Sequence, residues 1–321
     1  MHITQHFNRF VELEQINDLN ASVSMGEFEG VLKWFKRDKS HGPHGWPIEF
    51  FIQFFELMAN DLLIMIKDSR VRGRIYDGFN TTFTVLIPKS DNPPSFQEYR
   101  PISLCNCIYK IISKIISNCI KTFLCTHIEK EQFAFLHHRQ IHEAIGTSQE
   151  ALHSIKTKRL KSTILKIDLT KTFEQVNWSY LHLILIHTGF PLSFINWIMG
   201  CICHAIFSII LNGIASDFFH TGQGLHQGCL LSPLLFVMVM EGLSVLIKNA
   251  KTQGLLHGLQ ISDLLHLTHL LFLDDVLIFL NGSRQDVVQF EFLLKFFCRA
   301  TGKVPNALKS SIIMTGCSGL E

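Results

Sequence analysis

The run Leu267–Leu280, LTHLLFLDDVLIFL, places two adjacent carboxylates, Asp274 and Asp275, inside otherwise apolar sequence. Two apolar arms around a short acidic centre predict strand, tight turn, strand. Like charges at a hairpin tip repel, and each resists losing its water. Two readings stay open: a solvated tip, since Asp is common in turns, or a site for a hard divalent cation, which prefers carboxylate oxygens.

About a hundred residues upstream, Ser162–Leu169 (STILKIDL) is β-branched and apolar and carries Asp168 near its end. Alone, Asp168 reads as a strand-end carboxylate capping the segment after it. If its strand neighbours the hairpin in one sheet, three carboxylates converge. They can then hold two metal ions ~4 Å apart, the arrangement polymerases use.

Composition sets limits. The 321 residues suffice for a substantial core and two subdomains. Lys plus Arg 29 against Asp plus Glu 27 leaves only +2, a low charge for gripping a phosphate backbone. Seventeen histidines add little charge at neutral pH. Nine cysteines without a secretory signal point to reduced thiols in an intracellular setting. Neither Cys105/Cys107 nor Cys201/Cys203 has the two-residue gap of common zinc frameworks. Mean hydropathy is +0.22. The longest apolar stretch, Cys229–Ile247, contains Pro233, Glu241 and Gly242, so a core helix starting at Ser232-Pro233 explains it better than a membrane span.

Helices are expected at Asn106–Ile128, Glu143–Lys158, Trp178–Thr188, Pro191–Cys203 and near Arg284–Thr301. A strand is expected at Ile206–Asn212, ending in the turn Asn212-Gly213. Lys110, Lys114 and Lys121 lie opposite the apolar stripe of the first helix, on a solvated face or a surface near template phosphates. Antiparallel strands with helices on one face make an α+β fold.

Eight stretches, in order, resemble the reverse transcriptase domain of non-long-terminal-repeat (LINE-type) retrotransposons, plant copies above all. They are Lys39–Trp46 (KSHGPHGW), Leu86–Lys89 (LIPK), Tyr99–Leu104 (YRPISL), Gln132–Arg139 (QFAFLHHR), Leu165–Trp178 (LKIDLTKTFEQVNW), Gly224–Pro233 (GLHQGCLLSP), Phe272–Asp275 (FLDD) and Asn306–Ser310 (NALKS). The likeness covers about residues 30 to 315, as one continuous domain. It implies a right-hand polymerase, with an N-terminal extension and fingers over 1–160 and a palm over 161–321, some helical elements interleaved. It also implies a thumb after Lys309, and often a preceding nuclease module. Neither is expected within this chain, so its grip on a primer–template should be poor.

The resemblance implies RNA-directed DNA polymerase activity, with an RNA template, a DNA primer, dNTPs and two Mg²⁺ ions, Mn²⁺ being able to substitute. It implies no obligate protein partner, no membrane, and action in the nucleus. Asp168, Asp274 and Asp275 are the implied catalytic residues, and with Leu169 they are the implied metal positions. Lys89 and Arg100 are similar to finger residues that clasp the incoming triphosphate; otherwise they are ordinary surface charges. Phe173 matches an aromatic wall under the nucleotide sugar, or packs in the core. Gln227 and Gly228 match the segment lining nucleotide and template, or form a plain glycine turn. Lys309 matches a lysine near the leaving phosphate, a proton donor, or is simply solvated.

The chain also departs from the family pattern. His44 replaces Asp, His138 Gly, His226 Arg, Leu230 Pro, Glu174 Asp, Thr172 Ala, Cys119 Arg, and Leu273 Ala. Losing Arg for His226 would remove a fixed cation near the nucleotide. Glu174 adds a methylene that costs ~1–3 kcal/mol if buried. Bulk at Leu273 beside the carboxylates would be costly, since a shift of ~1 Å can cost ~100-fold in rate. Arg to His or Cys, Pro to Leu and Ala to Thr each follow from one C-to-T change on either DNA strand, the pattern of a silenced, decaying copy. Three readings compete: an active reverse transcriptase domain, an inactive relic that keeps the fold and at most weak nucleic acid binding, and an unrelated metal-dependent hydrolase using the same carboxylates.

Overall fold

A computed structural model describes residues 3–170, 173–262 and 266–316. In chain order the helices and strands are α1 (Gln15–Asn20), α2 (Met25–Trp34), α3 (Ile48–Gln53), α4 (Phe55–Arg72), β1 (Thr81–Pro88), β2 (Tyr99–Cys105), α5 (Cys107–His127), α6 (Ile141–Lys158) and β3 (Ser162–Thr170). They continue as α7 (Trp178–His187), α8 (Leu192–Cys203), β4 (Ile206–Leu211), β5 (Ile214–Ala215), β6 (Phe219–His220), α9 (Ser232–Thr252), β7 (Leu259–Gln260) and β8 (His266–Leu267). The last five are β9 (His269–Phe272), β10 (Asp275–Leu280), α10 (Arg284–Thr301), β11 (Val304–Pro305) and β12 (Ser311–Thr315). The α+β class expected from the sequence is what the chain adopts.

The elements form two compact units, interleaved along the sequence. The first comprises Met1–Asn8, Leu124–His187 and Leu235–Glu321; the second, Arg9–Phe123 and Thr188–Leu234. A boundary near residue 160 would lie inside the first unit.

In the first unit, β3 is central to a five-stranded antiparallel sheet. β10 pairs along one edge of it, while β11 and β12 share the other edge. Period-2 alternation buries Ile167 and Leu169 on one face and leaves Lys166 exposed and Asp168 half-buried on the other. Further along that second face, Ile164 and Phe279 close a core with Ala151 and Ile155 of α6 and with Leu259, Leu267 and Leu270. Helix α10 is bounded as its sequence predicts. The Ser283 hydroxyl accepts the Asp286 N–H at 3.2 Å, and Gly302 ends the helix at φ +78°.

In the second unit, β1 pairs antiparallel with β2 and parallel with β4. The apolar face of α8 is fully buried at Phe194, Ile195, Trp197 and Ile198. Trp197 Nε1–H donates to Ser69 Oγ on α4 at 3.1 Å, satisfying a donor that burial would otherwise leave without water. Helix α9 is long and apolar enough to cross a membrane by length and composition, yet 78% of its apolar window is buried within the fold. Burial is what the expectation of a core helix required.

Candidate active site

The hairpin β9–β10 turns on two residues, Leu273 and Asp274, with Phe272 opposite Asp275. Leu273 sits at φ +57°, the sign that primed hairpin turns need. For a residue with a Cβ this conformation costs ~1–2 kcal/mol.

Across the sheet, Asp275 is in direct register with Asp168. Facing residues of an antiparallel pair project on the same side with Cβ atoms ~4.5–5.5 Å apart. Two carboxylates are therefore held face to face, an unfavourable pairing unless a cation lies between or beside them. Lys166, two residues before Asp168 on β3, brings its Nζ to 3.9 Å from Asp275 Oδ1. Both side chains are more than half exposed, so water screens much of this attraction.

The opposite edge of β3 fixes the backbone of Asp168. Its N–H donates to Ser310 Oγ at 3.2 Å, and its carbonyl accepts the Asn306 N–H at 2.8 Å. Residues 306–310 form the loop that separates β11 from β12. Lys309, exposed, stands in that loop next to Ser310. Phe173 is half-buried, its ring centroid 5.1 Å from that of Phe236, which is fully buried on α9. Lys171 and Thr172 lie outside the described residues.

Sequence reasoning passed over Lys303. It is 2% exposed and its ammonium lies 5.0 Å from the Phe236 ring centroid. Burial pushes its pKa down to about 7, against the attraction of Glu174 and Asp274, which works upward. No local signal marks it, because lysine is almost always exposed.

The residues with expected roles fall into two sets. Asp168, Leu169, Phe173, Asp274, Asp275 and Lys309 belong to the first unit. Lys89, Arg100, Gln227 and Gly228 belong to the second. There, Arg100 on β2 faces Ile87, and Lys89 continues the same hairpin, its N–H bonded to the Glu98 carbonyl at 2.8 Å. The Lys89 ammonium donates to the Gln97 carbonyl at 2.9 Å. The Gln227 carbonyl accepts the Ser103 N–H of β2 at 2.7 Å. Gly228 follows at φ +103°, where a Cβ would stand 3.2 Å from the Ser103 carbonyl oxygen. Glycine thus permits the close backbone approach that Gln227 makes to this strand.

His226 is placed otherwise than expected of a group near the nucleotide. It is 4% exposed, wedged between the rings of Tyr109 and Phe207 at 5.4 and 5.0 Å, and neither ring nitrogen has a hydrogen-bond partner. Burial lowers its pKa to about 4, so it is neutral at pH 7. His44 is integrated instead: its Nε2 donates to the Gly78 carbonyl at 2.7 Å, and its backbone N–H donates to Asn106 Oδ1 at 2.9 Å.

A divalent cation fits the facing pair Asp168 and Asp275, whose mutual repulsion it would relieve, with Asp274 adjoining on the turn. Leu169 has a buried apolar side chain, so only its backbone carbonyl could contribute. Among the described residues, no three His, Cys, Asp or Glu side chains are already gathered closely enough to cage an ion.

Comparison with known proteins identifies the family. Residues 87–317 match the family model for reverse transcriptase (RNA-dependent DNA polymerase). The chain is 25% identical over 234 residues to the Transposon TX1 uncharacterized 149 kDa protein of Xenopus laevis, covering 73% of this chain and 18% of that protein. It is 22% identical over 250 residues to the Retrovirus-related Pol polyprotein from type-1 retrotransposable element R2 of Popillia japonica, covering 78% and 34%. Over 75 residues, 23% of this chain and 62% of the other, it is 40% identical to an uncharacterized mitochondrial protein of Arabidopsis thaliana. Among solved structures, apo telomerase from Candida tropicalis, truncated from its C-terminal domain, shares the fold with TM-score 0.53 at 12% identity, over 77% of this chain and 52% of that one. The chain thus spans only a minor part of the two transposon proteins, and the match over 87–317 places it in the reverse transcriptase family.

Proposed function

We propose that this chain is the RNA-directed DNA polymerase domain of a LINE-type retrotransposon, extending a DNA primer on an RNA template with dNTPs. The observation that carries this reading is the in-register pairing of Asp168 with Asp275, with Asp274 adjoining on the hairpin turn. Asp168, Asp274, Asp275 and the Leu169 carbonyl would hold Mg²⁺ or Mn²⁺, which supplies activation of the primer 3′-hydroxyl and neutralisation of charge on the leaving pyrophosphate. The first unit then serves as palm. Phe173, braced by Phe236, sits five residues after Asp168 as the wall against a 2′-hydroxyl. Lys309, in the loop whose Ser310 accepts the Asp168 N–H, would hand a proton to the leaving phosphate. Lys89 and Arg100 on one hairpin suit a triphosphate, Arg through bidentate contacts. Gln227-Gly228, tied to that hairpin through Ser103, lines the nucleotide and template strand.

A second reading is favoured by specific observations: a decayed plant copy that keeps the fold and at most weak nucleic acid binding. His226 is buried with no partner, a cost that an apolar residue would avoid. The 40% identity over 75 residues with the Arabidopsis protein supports the plant origin. Primer extension on RNA with Mg²⁺ or Mn²⁺, with Asp274→Asn as control, tests both readings. Incorporation lost in D274N upholds the polymerase; a folded but inert wild-type chain upholds the relic.

A further inference from the structure

We infer that Ser310 is a positioning residue for Asp168: its hydroxyl, inserted between two facing residues of the sheet, sets where that carboxylate stands. The inference rests on the reading of Asp168, Asp274 and Asp275 as metal ligands and names what holds one of them in place. β11 pairs with β3 at Val304–Thr170 and Pro305–Leu169, so the next residue in register, Asn306, stands opposite Asp168. A hydrogen-bonded antiparallel pair exchanges two backbone bonds. One is made directly, from Asn306 N–H to the Asp168 carbonyl at 2.8 Å. In the return arm, Asp168 N–H donates to Ser310 Oγ at 3.2 Å, and the Ser310 hydroxyl donates to the Asn306 carbonyl at 2.7 Å. One hydroxyl thus opens the ladder at the implied metal ligand. Sheet pairing does not require it, because Asn306 already offers the carbonyl.

The insertion bears on the carboxylate in two ways. The N–H and C=O of one strand residue point to the same side, and Asp168 turns both toward residues 306–310. Facing Asp275, it is therefore a non-hydrogen-bonded pair, the kind with the closer side chains, and its main chain is fixed from the Ser310 side. The Asn306 carbonyl also accepts the N–H groups of Lys309 and Ser310, at 3.2 and 2.9 Å, closing the turn that carries Lys309. Without the hydroxyl, Asp168 N–H either loses its partner or closes onto the Asn306 carbonyl. Either change moves the backbone that carries the ligand.

The test is Mn²⁺ binding to the full chain, read from the electron paramagnetic resonance signal of free Mn²⁺, with folding of each variant checked by circular dichroism and urea midpoints. S310A should bind Mn²⁺ roughly tenfold more weakly than wild type, the usual cost of losing a group that orients a ligand. S310V supplies a second variant without the hydroxyl should S310A fail to fold. S310T, close to valine in shape but keeping the hydroxyl, should bind as wild type, and D168N should bind weakly. Unchanged affinity in S310A and S310V, with loss in D168N, overturns the role of Ser310 and leaves the metal site standing, even if both variants unfold more easily. Equal weakening in S310T and S310V overturns it too, because the hydroxyl would not be the cause. No Mn²⁺ bound by wild type overturns the metal reading and this inference with it.

Discussion

Asp168 and Asp275 face each other across the β3–β10 ladder, two like charges in register where sheet stability alone would favour neither. This arrangement makes a paired prediction. Removing one charge, as in Asp275→Asn, should raise stability in EDTA by about 0.2–1 kcal/mol, the usual size of a cross-strand pair. The same change should lower primer extension by at least ~100-fold if the pair holds the catalytic ions. Urea unfolding and single-nucleotide incorporation measure the two effects. Loss of activity together with loss of stability would point to a structural role instead.

His226 supplies a second. Its two ring nitrogens are buried between Tyr109 and Phe207 without partners, so the site loses hydration and gains no hydrogen bond. Phenylalanine has nearly the same shape and nothing to desolvate. His226→Phe should therefore stabilise the chain by about 1–3 kcal/mol, read as a higher urea midpoint with an unchanged slope.

Much of this architecture can be read from local sequence. β3, β10, α5, α6, α9 and α10 carry clear period-2 or period-3.6 patterns or sharp caps, and each forms where its pattern predicts. Asn212-Gly213 turns as expected, both residues at positive φ. The N-terminal helices are harder, because Phe50, Phe51, Phe54 and Phe55 share one face of a single continuous helix, whereas the chain breaks at Phe54 between α3 and α4. The parallel contact of β1 with β4 joins residues over a hundred positions apart, and no local signal encodes such a pairing. Two of the four crossings between the units fall inside α5 and inside α9, where no loop-like composition marks them. At the site, the three carboxylates announce themselves as charges among apolar neighbours. Lys303 does not, since its burial is set by β11 pairing with β3 and by Phe236, both distant in sequence.

Acid should destabilise this protein well above the carboxylate range. Burial lowers the pKa of His226 to about 4 and of His269 to about 3, while in the unfolded chain both protonate near 6.5. Between those values the unfolded state binds more protons, so stability falls as pH drops from 6.5 and is fully present above it. Buried Glu241, its pKa raised by burial, acts in the opposite sense, favouring the folded state as pH falls toward 4.5. Two histidines outweigh one glutamate across that window. Urea midpoints from pH 8 to pH 4.5 should decline mainly below 6.5, and His226→Phe should flatten the slope. Lys303, lowered to about 7, adds a gentler rise in stability from pH 7 toward 10.5.

His138 stands where the resembling family carries glycine, and its backbone explains why glycine belongs there. At φ +63° it occupies the left-handed region, which costs an L-residue with a Cβ ~1–2 kcal/mol and glycine almost nothing. The side chain is exposed and its ring lies 4.2 Å from that of His137, also exposed, so replacing it forfeits little packing. What the position must preserve is the next residue. Arg139 donates to the carbonyls of Ile128, Glu129 and Gln132, tying the turn to the end of α5. His138→Gly should therefore raise stability by about 1 kcal/mol, the strain relieved less the added chain entropy of glycine when unfolded. His138→Val, with a branched Cβ in the same conformation, should lower it. A glycine variant no more stable than the valine variant would mean that Arg139, and not the backbone at 138, governs this turn.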